Sequence, residues 1–237
     1  MSASMYHPGL ILTSHQPDFL PYMGFFYKAA KSDILVFSDD VQFSKKGMHN
    51  WNKIKTPTGA RKLTVPVHAH QDTKLRGVEV ADQQRSINTV VKTIEQNYRK
   101  APHFDEALYL LDIMNSFAHR SERVSITQMN MALSLSIMSS FGISTRVALA
   151  SDMGITGHKD DRIFQMCEKF NASAYLSGLG AADYHQPEEY RSRGIDLVYT
   201  DYQPVEYPQL YGEFVENLSV IDYVMNCGFE LPRGWER

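Results

Sequence analysis

The first apolar run of this chain, GLILTS at 9–14, ends in His15, Gln16 and Pro17, with Asp18 one step beyond. An imidazole at the end of a buried strand is suited to moving a proton or meeting a developing anion. The second run, ILVF at 34–37, ends in Asp39 and Asp40, with Gln42 close behind. Either carboxylate could be a general base or a metal ligand, but neighbouring side chains on a strand diverge, so only one faces a given cleft. The stretch KKGMHNWNKIKTP at 45–57 sets Lys45, Lys46, Lys53 and Lys55 around Asn50, Trp51 and Asn52. Lysines hold phosphates, asparagines fix an amide or sugar hydroxyl, and an indole stacks on a ring. In SGLGAADY at 177–184, Ser177, Gly178, Gly180 and Tyr184 form a turn whose glycines let backbone N–H groups approach an anion. GHKDDR at 157–162 puts Lys159 and Arg162 at a helix start, and Tyr22 stands beside the first strand end as a further binding candidate.

Each reading has a plainer rival. His15 could be held by backbone alone, Asp39 and Asp40 could cap loops, and the lysines could be a solvated basic loop. The glycine turn lacks the Lys-Ser/Thr pair of a phosphate loop, and no Cys/His set has zinc spacing, so no metal is expected. There is no G-x-S-x-G, and nothing announces a covalent serine or cysteine nucleophile.

The elements that must position these residues follow from periodicity. Residues 9–14 and 34–37 read as buried strands, joined by a helix over 20–31 with Pro21 in its first turn. That is a βαβ unit, so the sheet is expected to be parallel. KLTVPV at 62–67 reads as an edge strand that residues 77–80 could join. Helical stripes follow at 87–98, 104–117 and 125–141, with Gly142 as the stop, and their methionines read as core. Strands are expected at 146–150, 174–176 and 197–200, and helices at 159–170 and 217–226. The expectation is one α/β domain over 1–237, with a mostly parallel sheet and a helical insert at about 85–142. Ligands of such sheets bind outside the carboxyl ends of the strands, which is where most of the candidates fall.

Composition narrows the class. The 237 residues carry a formal net charge of -3 and are 43% hydrophobic, which suits a folded core and argues against a basic face for duplex nucleic acid. The apolar runs are too short to span a bilayer, and no basic segment precedes an apolar stretch at the start, so a cytoplasmic protein with two reduced cysteines is expected.

HQPDFLPYMGFF, DILVFSDDVQFSKKG, NWNKIKTPTG with LTVPV, IEQNYRKAPHF, KDDRIFQMC, YLSGLGAADY and FVENLSVIDYVMNCG follow one another in the order of the WbqC-like family, which the chain resembles over nearly its whole length. Trp51 stands where a basic residue is expected, and Asn217 where a residue such as histidine is expected. The resemblance implies surface-polysaccharide or natural-product biosynthesis in bacteria, with amide-forming acyl or aminoacyl (for example glycyl) transfer to an amino sugar or small intermediate. It implies an activated acyl donor or ATP, and an aminoacyl-tRNA as one form of donor. The opening also looks like the start of nucleotidyltransferase-type folds, with His15 and Gly24 as analogues, although the His-x-Gly-His spacing is not kept and no second histidine follows Gly24. A nucleotide-using ligase, and a non-catalytic module binding a sugar nucleotide or a tRNA end, are therefore the alternatives. Oligomeric state is left open.

Overall fold

The structure, a computed structural model, describes residues 9–70 and 72–235. Strand β1 (Ile11–His15) leads through helix α1 (Met23–Ala30) to β2 (Ile34–Phe37). A long excursion follows. It contains a hairpin, β3 (Trp51–Thr56) with β4 (Gly59–Thr64), a short pair, β5 (Val67–His68) with β6 (Glu79–Val80), and three helices, α2 (Gln83–Tyr98), α3 (Phe104–Ala118) and α4 (Ile126–Ser140). The chain returns as β7 (Arg146–Leu149), α5 (Asp160–Phe170), β8 (Ala174–Ser177), α6 (Pro187–Ser192) and β9 (Asp196–Tyr199), and α7 (Val220–Cys227) follows.

The central sheet has the order β7-β2-β1-β8-β9, and every pairing in it is parallel. The fold is α/β. The winding runs outward from β1 through β2 to β7, then reverses to β8 and β9. The reversal leaves a switch point between the carboxyl ends of β1 and β8, the place where crossovers diverge and a crevice opens.

Strand alternation divides the core. On β2, Leu35 and Phe37 face one layer with α1, α2, α3, α4 and α7, while Ile34 and Val36 face the other with Phe164 of α5 and Tyr190 of α6. Helices therefore cover both faces, which is why β2, ILVF, is apolar throughout. Among the described residues no helix is long and apolar enough to cross a membrane.

Of the boundaries that differ from the sequence expectation, three do so for a clear local reason. Helix α1 starts at Met23, not at 20, because Leu20 takes a positive φ of 42° ahead of Pro21. The 62–67 stretch breaks at Pro66 into β4 and β5, and β5 pairs with β6. Helix α7 starts at Val220, since Asn217 has φ 55° and Ser219 caps the helix by accepting from the Ile221 N–H.

Candidate functional site

His15 is the last residue of β1, and its backbone carbonyl accepts the Ser38 N–H at the end of β2. Its ring packs edge-on against Phe25 of α1, with centroids 5.0 Å apart. The next turn is tied down from a distance: the Asn130 amide of α4 donates to the carbonyls of Pro17 and His49 at 2.8 and 2.7 Å. This fixes Asp18 and His49, from separate loops, beside the strand end.

The side chains there form a chain. Lys28 of α1 donates from Nζ to the Ser14 carbonyl at 2.9 Å and lies 3.2 Å from His15 Nδ1. His15 Nε2 is 3.3 Å from Asp18 Oδ2, and Asp18 Oδ1 accepts from His49 Nδ1 at 2.9 Å. The His49 side chain is only 1% exposed, and its Nε2 has no hydrogen-bond partner. His15 and Asp18, at 23% and 18%, reach solvent. They open on a cleft of about 350 Å³ lined also by Ser14, Gln16, Ser38 and Val41.

The electrostatics follow from burial and from the neighbouring charges. Burial and the Lys28 charge together lower the His15 pKa, so the ring is neutral at neutral pH. Burial pushes the Asp18 carboxyl up, but hydrogen bonds from His15 and His49 overcome it and hold the group well below the usual carboxylate range. Burial pulls Lys28 down to about 8.

A second chain lies on the other face of the same edge. Ser177, the last residue of β8, has its Oγ 2.8 Å from His185 Nε2, and His185 Nδ1 lies 2.7 Å from Asp160 Oδ1. Asp160, in the first turn of α5, also accepts from the Tyr190 hydroxyl at 2.9 Å and from the Gln186 N–H at 3.1 Å. Gly178 and Gly180 follow directly, and Tyr184 closes that turn with its side chain 69% exposed.

The remaining candidates scatter. Asp39 is buried and accepts the Ser151 N–H at 3.0 Å, tying the end of β2 to the turn after β7. Asp40 pairs with Arg162 of α5. Gln42 donates to Asp72 at the surface. Asn50 donates to the Val65 carbonyl, and Asn52 to those of Phe19 and Leu20. The Lys55 ammonium is buried against the carbonyls of Gly212 and Glu213. Lys53 and Lys159 are exposed. Tyr22 packs on Tyr202 beside a separate hollow, and burial followed by the Asp18 charge raises its pKa. The structure thus brings His15 and Gln16 into one cleft and Ser177, Gly178 and Gly180 into one turn. It spends Asn52, Lys55 and Asp39 on backbone groups.

Lys28, His49, Asp160 and His185 are absent from the sequence-based candidates. Lys28 lies within a helix, and the others join their partners only through the fold. One signal was available: Asp18 follows His15 by three residues at a strand end, the right reach for a loop carboxylate to turn back onto the ring. Burial raises the thiols of Cys167 and Cys227 to about 12 and about 11, so neither is an activated nucleophile. Among the described residues no group of three or more His, Cys, Asp or Glu side chains is placed to hold a metal ion.

A parallel sheet covered by helices on both faces, with polar side chains meeting at its strand ends, defines an α/β protein. The WbqC-like protein family matches residues 16–233, and the chain belongs to that family. It is 29% identical over 222 residues to the uncharacterized protein Rv1507c of Mycobacterium tuberculosis, covering 92% of this chain and 94% of the relative. No solved structure matches the chain.

Proposed function

We propose that this protein transfers an acyl or aminoacyl group to the amine of an amino sugar or small biosynthetic intermediate, with the acceptor bound in the cleft at His15. One observation carries the reading. A histidine kept neutral by burial and by a neighbouring ammonium stands against an ionised aspartate at the mouth of a cleft. An amine must shed a proton as it attacks a carbonyl, and a neutral imidazole near the working pH is a suitable acceptor for it.

The heavy atoms allow two proton arrangements. With Lys28 charged, Nζ–H donates to Nδ1, and the ring keeps its proton on Nε2, facing Asp18. With Lys28 neutral, the ring proton sits on Nδ1, and Nε2 is free to take a proton from the acceptor. The Lys28 pKa of about 8 brings both arrangements within reach of neutral pH. Asp18, held as the anion by His49, then stabilises the imidazolium that forms.

Purified protein is incubated with a thioester, an acyl adenylate or an aminoacyl-tRNA, plus an amino-sugar nucleotide, and the mixture is examined by mass spectrometry. The expected product is the amide from one donor class, formed in multiple turnovers. No amide from any of the three overturns the reading. Thermal stabilisation by ATP and magnesium without amide would favour a nucleotide-using ligase instead.

A further inference from the structure

The proposed transfer leaves Ser177, His185 and Asp160 without a role. We infer that Ser177 is a covalent nucleophile that carries the acyl group as an ester before it reaches the amine. The inference rests on the transferase reading and extends it to a two-step reaction.

The geometry is that of an activated serine. The Ser177 hydroxyl meets His185 Nε2 at 2.8 Å, and the other ring nitrogen meets Asp160 at 2.7 Å. A hydroxyl, an imidazole and a carboxylate in this order lower the barrier to attack on a carbonyl on several unrelated folds. The carboxylate is itself fixed by Tyr190 and by the Gln186 N–H, so the ring is oriented from behind. His185 and Asp160 are 6% and 11% exposed, which keeps water from competing for these hydrogen bonds.

The space beside the two glycines that follow the serine is open. A Cβ built on Gly178 or on Gly180 would have nothing within 4 Å beyond its own chain neighbours. Those residues lie at the start of the 3₁₀ turn Leu179–Tyr184, which follows the serine directly. Ser177 itself is 2% exposed, so a donor enters as that turn moves aside. Leu179 and Tyr184, exposed on the same turn, supply apolar surface for it.

One hydrogen bond between their neighbours links the two sides of the edge. Ser177 and Tyr175 point to the same face of β8, and the Tyr175 hydroxyl is 2.8 Å from that of Ser14, which lines the His15 cleft. β1 and β8 are adjacent at the switch point.

The donor class follows from proton balance. Ser177 Oγ attacks the acyl carbon of a thioester or acyl phosphate, and its proton passes to His185 Nε2. The Oγ–C bond forms, the carbon–sulfur or carbon–oxygen bond of the donor breaks, and the leaving group departs as the anion. The acceptor amine then attacks the ester, giving its proton to His15. The N–C bond forms, the Oγ–C bond breaks, and His185 returns its proton to Oγ.

A fluorophosphonate probe tests the serine independently of any donor. One adduct is expected on the full-length protein, located at Ser177 by peptide mass spectrometry. Ser177→Ala, with unchanged circular dichroism, should take no label. His185→Gln should label on the order of 10²–10⁴-fold more slowly, which keeps the test decisive if Ser177→Ala does not fold. An unlabelled wild type, or an adduct elsewhere, overturns the inference. Amide formation that persists in Ser177→Ala also overturns it, while the transferase reading stands. An adduct at Ser177 with no amide from any donor supports the nucleophile and defeats the transferase reading.

Discussion

The two faces of one sheet edge each carry a histidine bonded to an aspartate, and what surrounds the pair differs. On the α1 face, His15 has an ammonium on one nitrogen and Asp18 on the other, and it opens on a cleft. On the α5 face, His185 has a hydroxyl on one nitrogen and Asp160 on the other, and a turn covers it. The same ring is set for different work by its neighbours. Burial and a nearby cation keep His15 neutral, and its Nε2 takes a proton from something that arrives once Lys28 has given up its own. A nearby hydroxyl gives His185 a proton to take from within the protein. The comparison predicts that the first pair governs the acceptor and the second the donor.

The largest effect should come from His15→Ala. If His15 receives the acceptor's proton, kcat should fall on the order of 10²–10⁴-fold while the variant stays folded. Fluorophosphonate labelling at Ser177 should remain within a few-fold of wild type, since that face of the edge is untouched. Wild-type kcat in His15→Ala would break the comparison on its first side.

Lys28 gives the next largest effect, and it appears in stability. Its pKa drops from 10.5 to about 8 on folding. Between those values the unfolded chain holds more protons on this group than the folded one, so stability rises with pH across the window. Lys28→Met removes that dependence. The unfolding free energy of wild type minus that of Lys28→Met should therefore climb by about 3 kcal/mol from pH 7 to pH 11. Urea melts of both proteins at several pH values measure it. A flat difference would mean that the ammonium is solvated and leaves His15 unperturbed. In the transfer assay the same ionisation should make wild-type kcat/KM rise with pH up to about 8.

The α/β frame was legible because its signals are local. ILVF is buried on both faces and reads as a strand from its own residues, and the stripe at Ile87, Val91, Ile94 and Tyr98 reads as a helix. The strand-end rule located His15 and Ser177, because a parallel sheet fixes where strands stop. Their partners were not legible. Asp160 and His185 are brought together by the packing of α5 against β8, and Lys28 is hidden among the apolar residues of α1. The Lys/Asn/Trp stretch illustrates the converse. Asn52 and Lys55 have the chemistry of ligand binders, yet the hairpin turns both inward, where carbonyls of Phe19, Leu20, Gly212 and Glu213 accept their hydrogen bonds. Composition cannot tell a polar group aimed at a ligand from one satisfying buried backbone.

Two glycine substitutions sharpen the comparison at smaller scale. At Gly47 a Cβ would lie 2.2 Å from His49 Nε2. The ring is 1% exposed and held by Asp18, so it has little room to retreat. Gly47→Ala should cost about 1–3 kcal/mol, the usual range for overpacking. A thermal melt reads it, and an unchanged melting temperature would show that His49 moves freely and does not fix Asp18.

Gly178→Ala should have the smallest effect on stability and is the more discriminating for it. Gly178 sits at φ -71° and ψ 147°, a conformation open to any L residue, and no atom beyond its two chain neighbours lies within 4 Å of the added methyl group. Removing glycine freedom from the unfolded chain then raises stability by about 0.4–1 kcal/mol. The empty space matters only if something binds there. A donor lying against Gly178 while it acylates Ser177 would meet the methyl group, so the apparent KM for the donor should rise and fluorophosphonate labelling should slow. The KM for the amine, bound across the sheet edge at His15, should stay where it is. A variant that is slightly more stable and unaltered toward both substrates would place the donor away from this turn, and the α5 face would then be a hydrogen-bonded brace between α5 and β8.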